Sequence, residues 1–281
     1  MGRVSSFAQR SVPHSHFDDR GELPALEKRV FVTTSWDDGD RADLKLAELL
    51  GSRGMQGTFY VPVMPFEHGR PTLDSADLKS LAQDFEIGAH GLSHKLLWGL
   101  GPEELNIEAG SCKPILEDML GREVGMFCYP RGRFDANVIR TVRAAGYGGA
   151  RTVRMLSTRP EFSPFEMPTS LQAFPHPTSN YIKNLMRARR IEGARRILSP
   201  GKLCNWVELG KELFDSVLER GGIWHLYGHS WELDTLDLWD DLKRILDYVG
   251  GRTNVTYASN WQVLKSLPGT ARKDNADGNL A

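Results

Sequence analysis

The sequence predicts an α/β fold, a distorted barrel of about seven parallel strands with helices outside it. Three observations carry this. Apolar β-branched runs alternate with helix-length amphipathic stretches from Val30 to about Leu264. Glycines, prolines and short polar residues punctuate nearly every changeover. Polar clusters fall just after predicted strand ends, where a parallel barrel carries its site. The 281 residues would allow two domains, but barrels of roughly 250 residues are common as single units, and no internal repeat is seen.

The elements follow in order. Val30–Ser35 is an apolar strand, Asp43–Leu50 a helix and Gly57–Val61 a strand with aromatic and β-branched residues. Asp74 or Ser75 can cap a helix over Ala76–Gln83, followed by the strand Phe85–Ala89. Pro102 opens a longer helix reaching Leu120, with a bend expected at Pro114, and Gly121 ends it before the strand Val124–Tyr129. A helix over Asp135–Ala145, stopped by Gly146, leads into the strand Tyr147–Val153. Five prolines make 154–177 a long loop with at most a short strand. Ser179–Leu198 reads as a helix, as do Trp206–Arg220 and Leu236–Val249. Gly222–Gly228 and Thr253–Tyr257 read as strands, before a short helix and a polar tail. The expected organisation is an N-terminal arm over 1–28, a catalytic barrel over 29–266 and a tail over 267–281.

Composition removes several function classes. A net charge of −1 calls for neither nucleic acid nor an anionic membrane. Cys112, Cys128 and Cys204 are odd in number and widely spaced, so neither a disulfide framework nor a thiolate metal site is indicated, and a reducing compartment fits. No apolar stretch has signal-peptide or membrane-span length, so no integral membrane segment is expected and the protein is read as cytoplasmic. His14 and His16, in the arm, read as solvated side chains. The basic residues of the helix over Ser179–Leu198, Lys183, Arg187, Arg189, Arg190, Arg195 and Arg196, read as a solvated face, with a positive groove for a phosphorylated or acidic ligand as the alternative.

Three clusters carry chemistry: Ser35-Trp36-Asp37-Asp38-Gly39, His90-Gly91-Leu92-Ser93-His94 and Leu226-Tyr227-Gly228-His229. Two imidazoles and one carboxylate suit a borderline-soft divalent metal and leave a position open for water, which points to Asp38, His90 and His94. His90 and His94, at i and i+4, share one side if they lie on a helical turn. Neighbouring Asp37 and Asp38 would point to opposite sides of a strand, so a bend at Gly39 is needed to bring both toward one water.

These clusters resemble those of the polysaccharide deacetylases, the NodB-homology or carbohydrate esterase family 4 proteins, over roughly Val30 to Leu264. The resemblance implies a distorted barrel that hydrolyses acetamides on N-acetylated sugars, or acetate esters, with one divalent metal. Zinc is expected, with cobalt, manganese or nickel as alternatives. By position it makes Asp37 the general base and Asp38, His90 and His94 the metal ligands. Gly91 stands where the family carries Ser or Thr. Phe127-Cys128-Tyr129-Pro130-Arg131-Gly132 resembles the third family motif with Cys128 in the place of an arginine that pairs with the base, so Arg131 or Arg151 is expected to supply that charge. The Arg131 amide is expected to help hold the oxyanion, while the fourth family motif is not recognisable near Ala150–Leu156.

Leu226 and His229 resemble the fifth motif. His229 is the expected general acid, since an imidazole can hold and release a proton near neutral pH, and Glu232 or Asp234 could polarise it. Tyr129, Pro130, Arg151, His225 and Trp231 are the expected substrate-binding residues, although Trp231 reads equally well as core. The implied function is metal-dependent hydrolysis of a non-peptide carbon–nitrogen bond, with an N-acetylated sugar or glycan precursor as partner. A nucleotide-linked or lipid-linked sugar suits a cytoplasmic enzyme. A small-molecule amidase or deformylase and a non-catalytic glycan-binding barrel are the alternatives, and the sequence leaves the oligomeric state open.

Overall fold

Seven strands lie side by side, all parallel, as one curled sheet. They are β1 (Val30–Asp37), β2 (Gly57–Val61), β3 (Glu86–Ala89), β4 (Met126–Cys128), β5 (Gly149–Arg151), β6 (Leu171–Gln172) and β7 (Gly222–Gly228), in the order β5-β4-β3-β2-β1-β7-β6. An eighth, β8 (Thr256–Tyr257), pairs with the start of β1. The computed structural model describes residues 28–64, 69–187 and 205–267. His14, His16, Arg189, Arg190, Arg195, Arg196 and Cys204 lie outside them, as do nearly all of the expected arm and tail.

The predicted barrel is observed. Its closure is slight: Met167 bridges to Arg151 on β5, and four residues later the same segment pairs with β7 through Leu171 and Leu226. All residues of β1 and β7 are buried, as expected of strands covered on both faces. Alternation along β1 sends Phe31, Thr33, Ser35 and Asp37 into the barrel and Val30, Val32 and Trp36 out toward the helices. The interior floor is apolar, built from Phe31, Ile223, Met126, Met167, Val263 and Leu264. Above it sits a polar layer, in which Asn260 joins Thr33, Tyr60 and His225.

The helices are α1 (Asp43–Gly51), α2 (Ser75–Asp84), α3 (Pro102–Leu105), α4 (Cys112–Leu120), α5 (Ala136–Ala144), α6 (Thr178–Arg187), α7 (Trp206–Arg220), α8 (Ser230–Thr235), α9 (Trp239–Val249) and α10 (Asn260–Ser266). Asp74 caps α2 in a reciprocal capping box with Asp77, and Ser259 does the same for α10 with Gln262. The long helix expected from Pro102 is broken by a π segment over Asn106–Gly110 rather than bent at Pro114. Pro114 is the third residue of α4, in the first turn after the π segment, a position where proline is tolerated better than in a helix interior. The helix expected from Leu236 begins only at Trp239, because Asp237 takes φ 53° and α8 occupies the preceding residues. Among the described residues no helix is long and apolar enough to cross a membrane.

Candidate active site

The C-terminal ends of β1, β3, β4, β5 and β7 converge. At the end of β1 the chain turns at Asp38, whose φ of 79° is a left-handed conformation that aspartate tolerates better than most residues. The turn swings the Asp38 carboxylate toward the loop after β3, while Asp37 continues the inward face of the strand. His90 and His94 sit on that loop, which is not the helical turn their spacing suggested. Gly91 at φ 84° and His94 at φ 57° bend the chain sharply instead.

The histidine loop is held from two sides. Val63 and Met64, just past β2, donate to the carbonyls of Gly91 and Leu92. Glu108, in the π segment, accepts from the Ser93 amide at 3.0 Å and hydroxyl at 2.6 Å, and its own carbonyl accepts from Leu92. A serine two residues further on thus anchors the loop that lacks a hydroxyl at Gly91, and a β-carbon at Gly91 would stand 3.4 Å from Pro130. Nothing in the sequence signals Glu108, because a π insertion sets its reach.

Oδ1 of Asp38 lies 3.2 Å from His94 Nε2 and 3.6 Å from His90 Nε2, all three groups being buried. That oxygen makes no hydrogen bond. The Cys128 carbonyl accepts from His90 Nδ1 at 2.8 Å. A carbonyl only accepts, so Nδ1 carries a proton and Nε2 is the ring atom turned to Asp38. An unpartnered buried carboxylate oxygen opposed by two imidazoles is the donor set a divalent cation satisfies, so these residues fit the expected metal. The indole N–H of half-buried Trp231 donates to the other oxygen, Oδ2, at 3.0 Å, which orients the carboxylate. Trp231 therefore positions Asp38, a role outside the expected choice of pocket or core.

Asp37 ion-pairs with Arg151, whose side chain is wholly buried. This decides between the two arginines: Arg151 is the register partner of Cys128 on the adjacent strand, whereas Arg131 is exposed at φ 58° on the turn after β4. Cys128 points into the barrel with its sulfur 3.7 Å from Asp37 Oδ2. Burial pushes the Asp37 carboxyl up, but the charges of Arg151, His90 and His229 together outweigh it and hold the group below the ordinary carboxylate value. Asp37, His90 and Cys128 also cluster closely enough for a cation. That position is disfavoured, since Arg151 already neutralises Asp37 and the Nδ1 of His90 is spent on a carbonyl.

His229 follows β7, with Nε2 4.0 Å from Asp37 Oδ2 and 3.9 Å from Asp38 Oδ2. Its Nδ1 meets Glu232 at 2.8 Å. Glu232 is thus the polarising carboxylate; Asp234 is instead engaged by Arg70 and Trp239. Burial lowers the His229 pKa, yet Glu232, Asp37 and Asp38 together raise it above the usual imidazole value. Gln172 on β6 donates to Glu232 and accepts from Tyr227, a role the proline-rich segment gave no hint of.

Several residues expected to bind substrate are buried in the structure. Tyr129 faces outward from β4 into the core, stacked on Phe134, with its hydroxyl on the Phe165 carbonyl. Pro130 is buried behind Gly91. Arg151 lies beneath Asp37, and His225 is enclosed between Ser35, Asn260 and the Pro168 carbonyl.

The polysaccharide deacetylase family profile matches residues 25–150. A Bacillus subtilis protein carrying the polysaccharide deacetylase name, YxkH, is 27% identical over 123 residues, which is 43% of this chain and only 43% of that relative. A Mycobacterium smegmatis structure carrying the same name matches with a TM-score of 0.62 at 18% identity, over 87% of this chain and 92% of that one. A family 4 acetyl xylan esterase from Clostridium thermocellum, solved with a cobalt ion, matches with a TM-score of 0.51 at 12% identity, over 84% and 90%. The two structures share the fold. The chain thus resembles polysaccharide deacetylases in sequence over 25–150 and in fold over most of its length.

Proposed function

We propose, on the premise that the chain resembles polysaccharide deacetylases in sequence and fold, that it hydrolyses the N-acetyl amide of a sugar or glycan precursor. The observation that supports this is the convergence of Asp37, Asp38, His90, His94 and His229 at one end of the barrel, with Arg151 behind the first and Glu232 behind the last. A glycan-binding module would have no use for an ion-paired carboxylate facing a polarised imidazole.

Asp38, His90 and His94 would hold the ion, for which zinc is the proposed identity given two nitrogens and one oxygen. When bound, such an ion acidifies water and polarises an acyl oxygen. Asp37 Oδ2, the oxygen that faces His229 Nε2 at 4.0 Å rather than Arg151, accepts the proton from the attacking water. His229 Nε2 returns a proton to the leaving nitrogen, which departs poorly as an anion. Glu232 fixes the proton on Nδ1 of that ring and so directs Nε2 to the reacting atoms. The Arg131 amide is assigned to the developing oxyanion.

The test is release of free amine, with acetate from N-acetylated and formate from N-formylated sugars, across a panel of both, with metal content measured in parallel. Asp37→Asn should keep the metal and lose about 10²- to 10⁴-fold in turnover, while Asp38→Asn should lose metal. If those two phenotypes are exchanged, or if His90→Ala and His94→Ala keep full metal content, the assignment is wrong.

A further inference from the structure

At the same end of the barrel as the centre lies an open cleft of about 370 Å³ walled by Trp98, Gly132 to Phe134, Val153, Arg154 and Asn184. Three of its walls continue segments that build the centre. Trp98 lies four residues past His94; Gly132 to Phe134 extend the turn after Cys128; Val153 and Arg154 follow Arg151. Because β3, β4 and β5 are neighbours in a parallel sheet, their following loops emerge at the same end. The cleft thus opens where a substrate longer than one sugar could reach it from the centre.

Its chemistry is specific. Trp98 is 52% exposed, an unusual position for so large an aromatic surface. Phe134 is fixed by its stack on Tyr129, with ring centroids 4.3 Å apart. Each ring carries a guanidinium: Arg133 lies 5.6 Å from the Trp98 centroid and Arg154 5.1 Å from that of Phe134. Arg154 is partly committed to Glu166 at 2.8 Å, whereas Arg133 has no carboxylate partner among the described residues. The basic helix α6 forms the remaining wall through Asn184.

We propose that this cleft is a substrate subsite for an anionic unit next to the acetylated sugar: its ring packs on Trp98, and its carboxylate or phosphate meets Arg133 and Arg154. This rests on the deacetylase reading and narrows its substrate class. An exposed aromatic face flanked by guanidinium groups suits a sugar ring that lays its C–H face on the indole and carries anionic oxygens at its edge. A neutral glycan would leave Arg133 unused.

The test is calorimetric titration of the full-length, metal-loaded protein with three probes: chitotetraose as the neutral sugar, a heparosan tetrasaccharide as the carboxylate arm and UDP-N-acetylglucosamine as the phosphate arm. Acetate release from each is measured separately. At least one anionic probe should bind more tightly than chitotetraose, with a preference that shrinks as salt is raised. Arg133→Gln should reduce the ratio of anionic to neutral affinity by about fivefold, the upper range for an exposed ion pair. Trp98→Ala should weaken all sugar probes, and circular dichroism checks folding. Which anion wins identifies the source. Equal binding of all three probes, or an unchanged ratio in Arg133→Gln, overturns the subsite even if acetate is released. Anion-selective binding that Arg133→Gln abolishes, with no acetate released, upholds the subsite and overturns the deacetylase reading instead.

Discussion

His225 and His229 lie four residues apart on the same face of β7 and its extension, yet the barrel treats them oppositely. His225 is enclosed: its Nδ1 donates to the Pro168 carbonyl at 3.1 Å, and its Nε2 accepts from Ser35 at 2.8 Å. Burial first, and the Arg151 charge next, push its pKa down to about 3. His229 is raised instead, because Glu232, Asp37 and Asp38 oppose the effect of burial. Burial disfavours the charged ring at both positions, so the sign of the nearest charge decides between them. The Asp37–Arg151 pair separates the two rings, with its cation affecting the lower and its anion the upper.

The comparison breaks most severely if that pair is removed. Arg151→Met leaves Asp37 buried without its cation, and losing one partner of a buried pair costs about 3–5 kcal/mol. Urea unfolding should show a loss of that size; a loss below about 1 kcal/mol would mean the pair does not organise the layer. Next in size is His229→Ala. It should lower kcat on an amide by about 10²- to 10⁴-fold and far less on an activated ester of the same sugar, since only the amine leaving group needs a proton. An equal loss on both substrates would remove His229 from the role of acid.

His225→Gln tests the lower ring by pH. The folded pKa of about 3 lies below the unfolded value of about 6.5, so the native state binds fewer protons between them. Stability from this group is therefore present above the unfolded pKa and is lost as pH falls toward the folded one, at up to about 1.4 kcal/mol per pH unit. Between about pH 7 and pH 5 the variant should lose roughly 2 kcal/mol less than the wild type. Identical pH–stability slopes would show that His225 titrates normally. The smallest effect is Glu232→Gln, which should lower kcat by about tenfold, since outer partners of this kind typically cost 10- to 100-fold. Activity as low as in His229→Ala would mean that Glu232 acts on more than the imidazole.

Much of this was legible in the sequence because its signals are local. Hydrophobic period, capping residues such as Asp74 and stop signals such as Gly121 act within a turn or two, so the order of strands and helices could be read directly. The cluster positions followed, since a parallel sheet brings its strand C-termini to one end. Helical spacing failed for His90 and His94 because two left-handed residues, Gly91 and His94 itself, override it within five positions. The outward turn of Tyr129 is a matter of strand phase: Cys128 takes the inward position, so its neighbour cannot.

The sequence by itself determined the order of the strands and of most helices, the barrel class and Asp38, His90 and His94 as a candidate set. Only the tertiary structure decided which arginine serves Asp37, which carboxylate serves His229, that Glu108 holds the His90–His94 loop and Trp231 the Asp38 carboxylate, and that Trp98, Arg133 and Arg154 share a cleft. Each of those decisions is a contact between segments far apart in the chain. Strand register sets such contacts, as when Cys128 is placed opposite Arg151, and register depends on how the whole sheet packs rather than on any short run of residues.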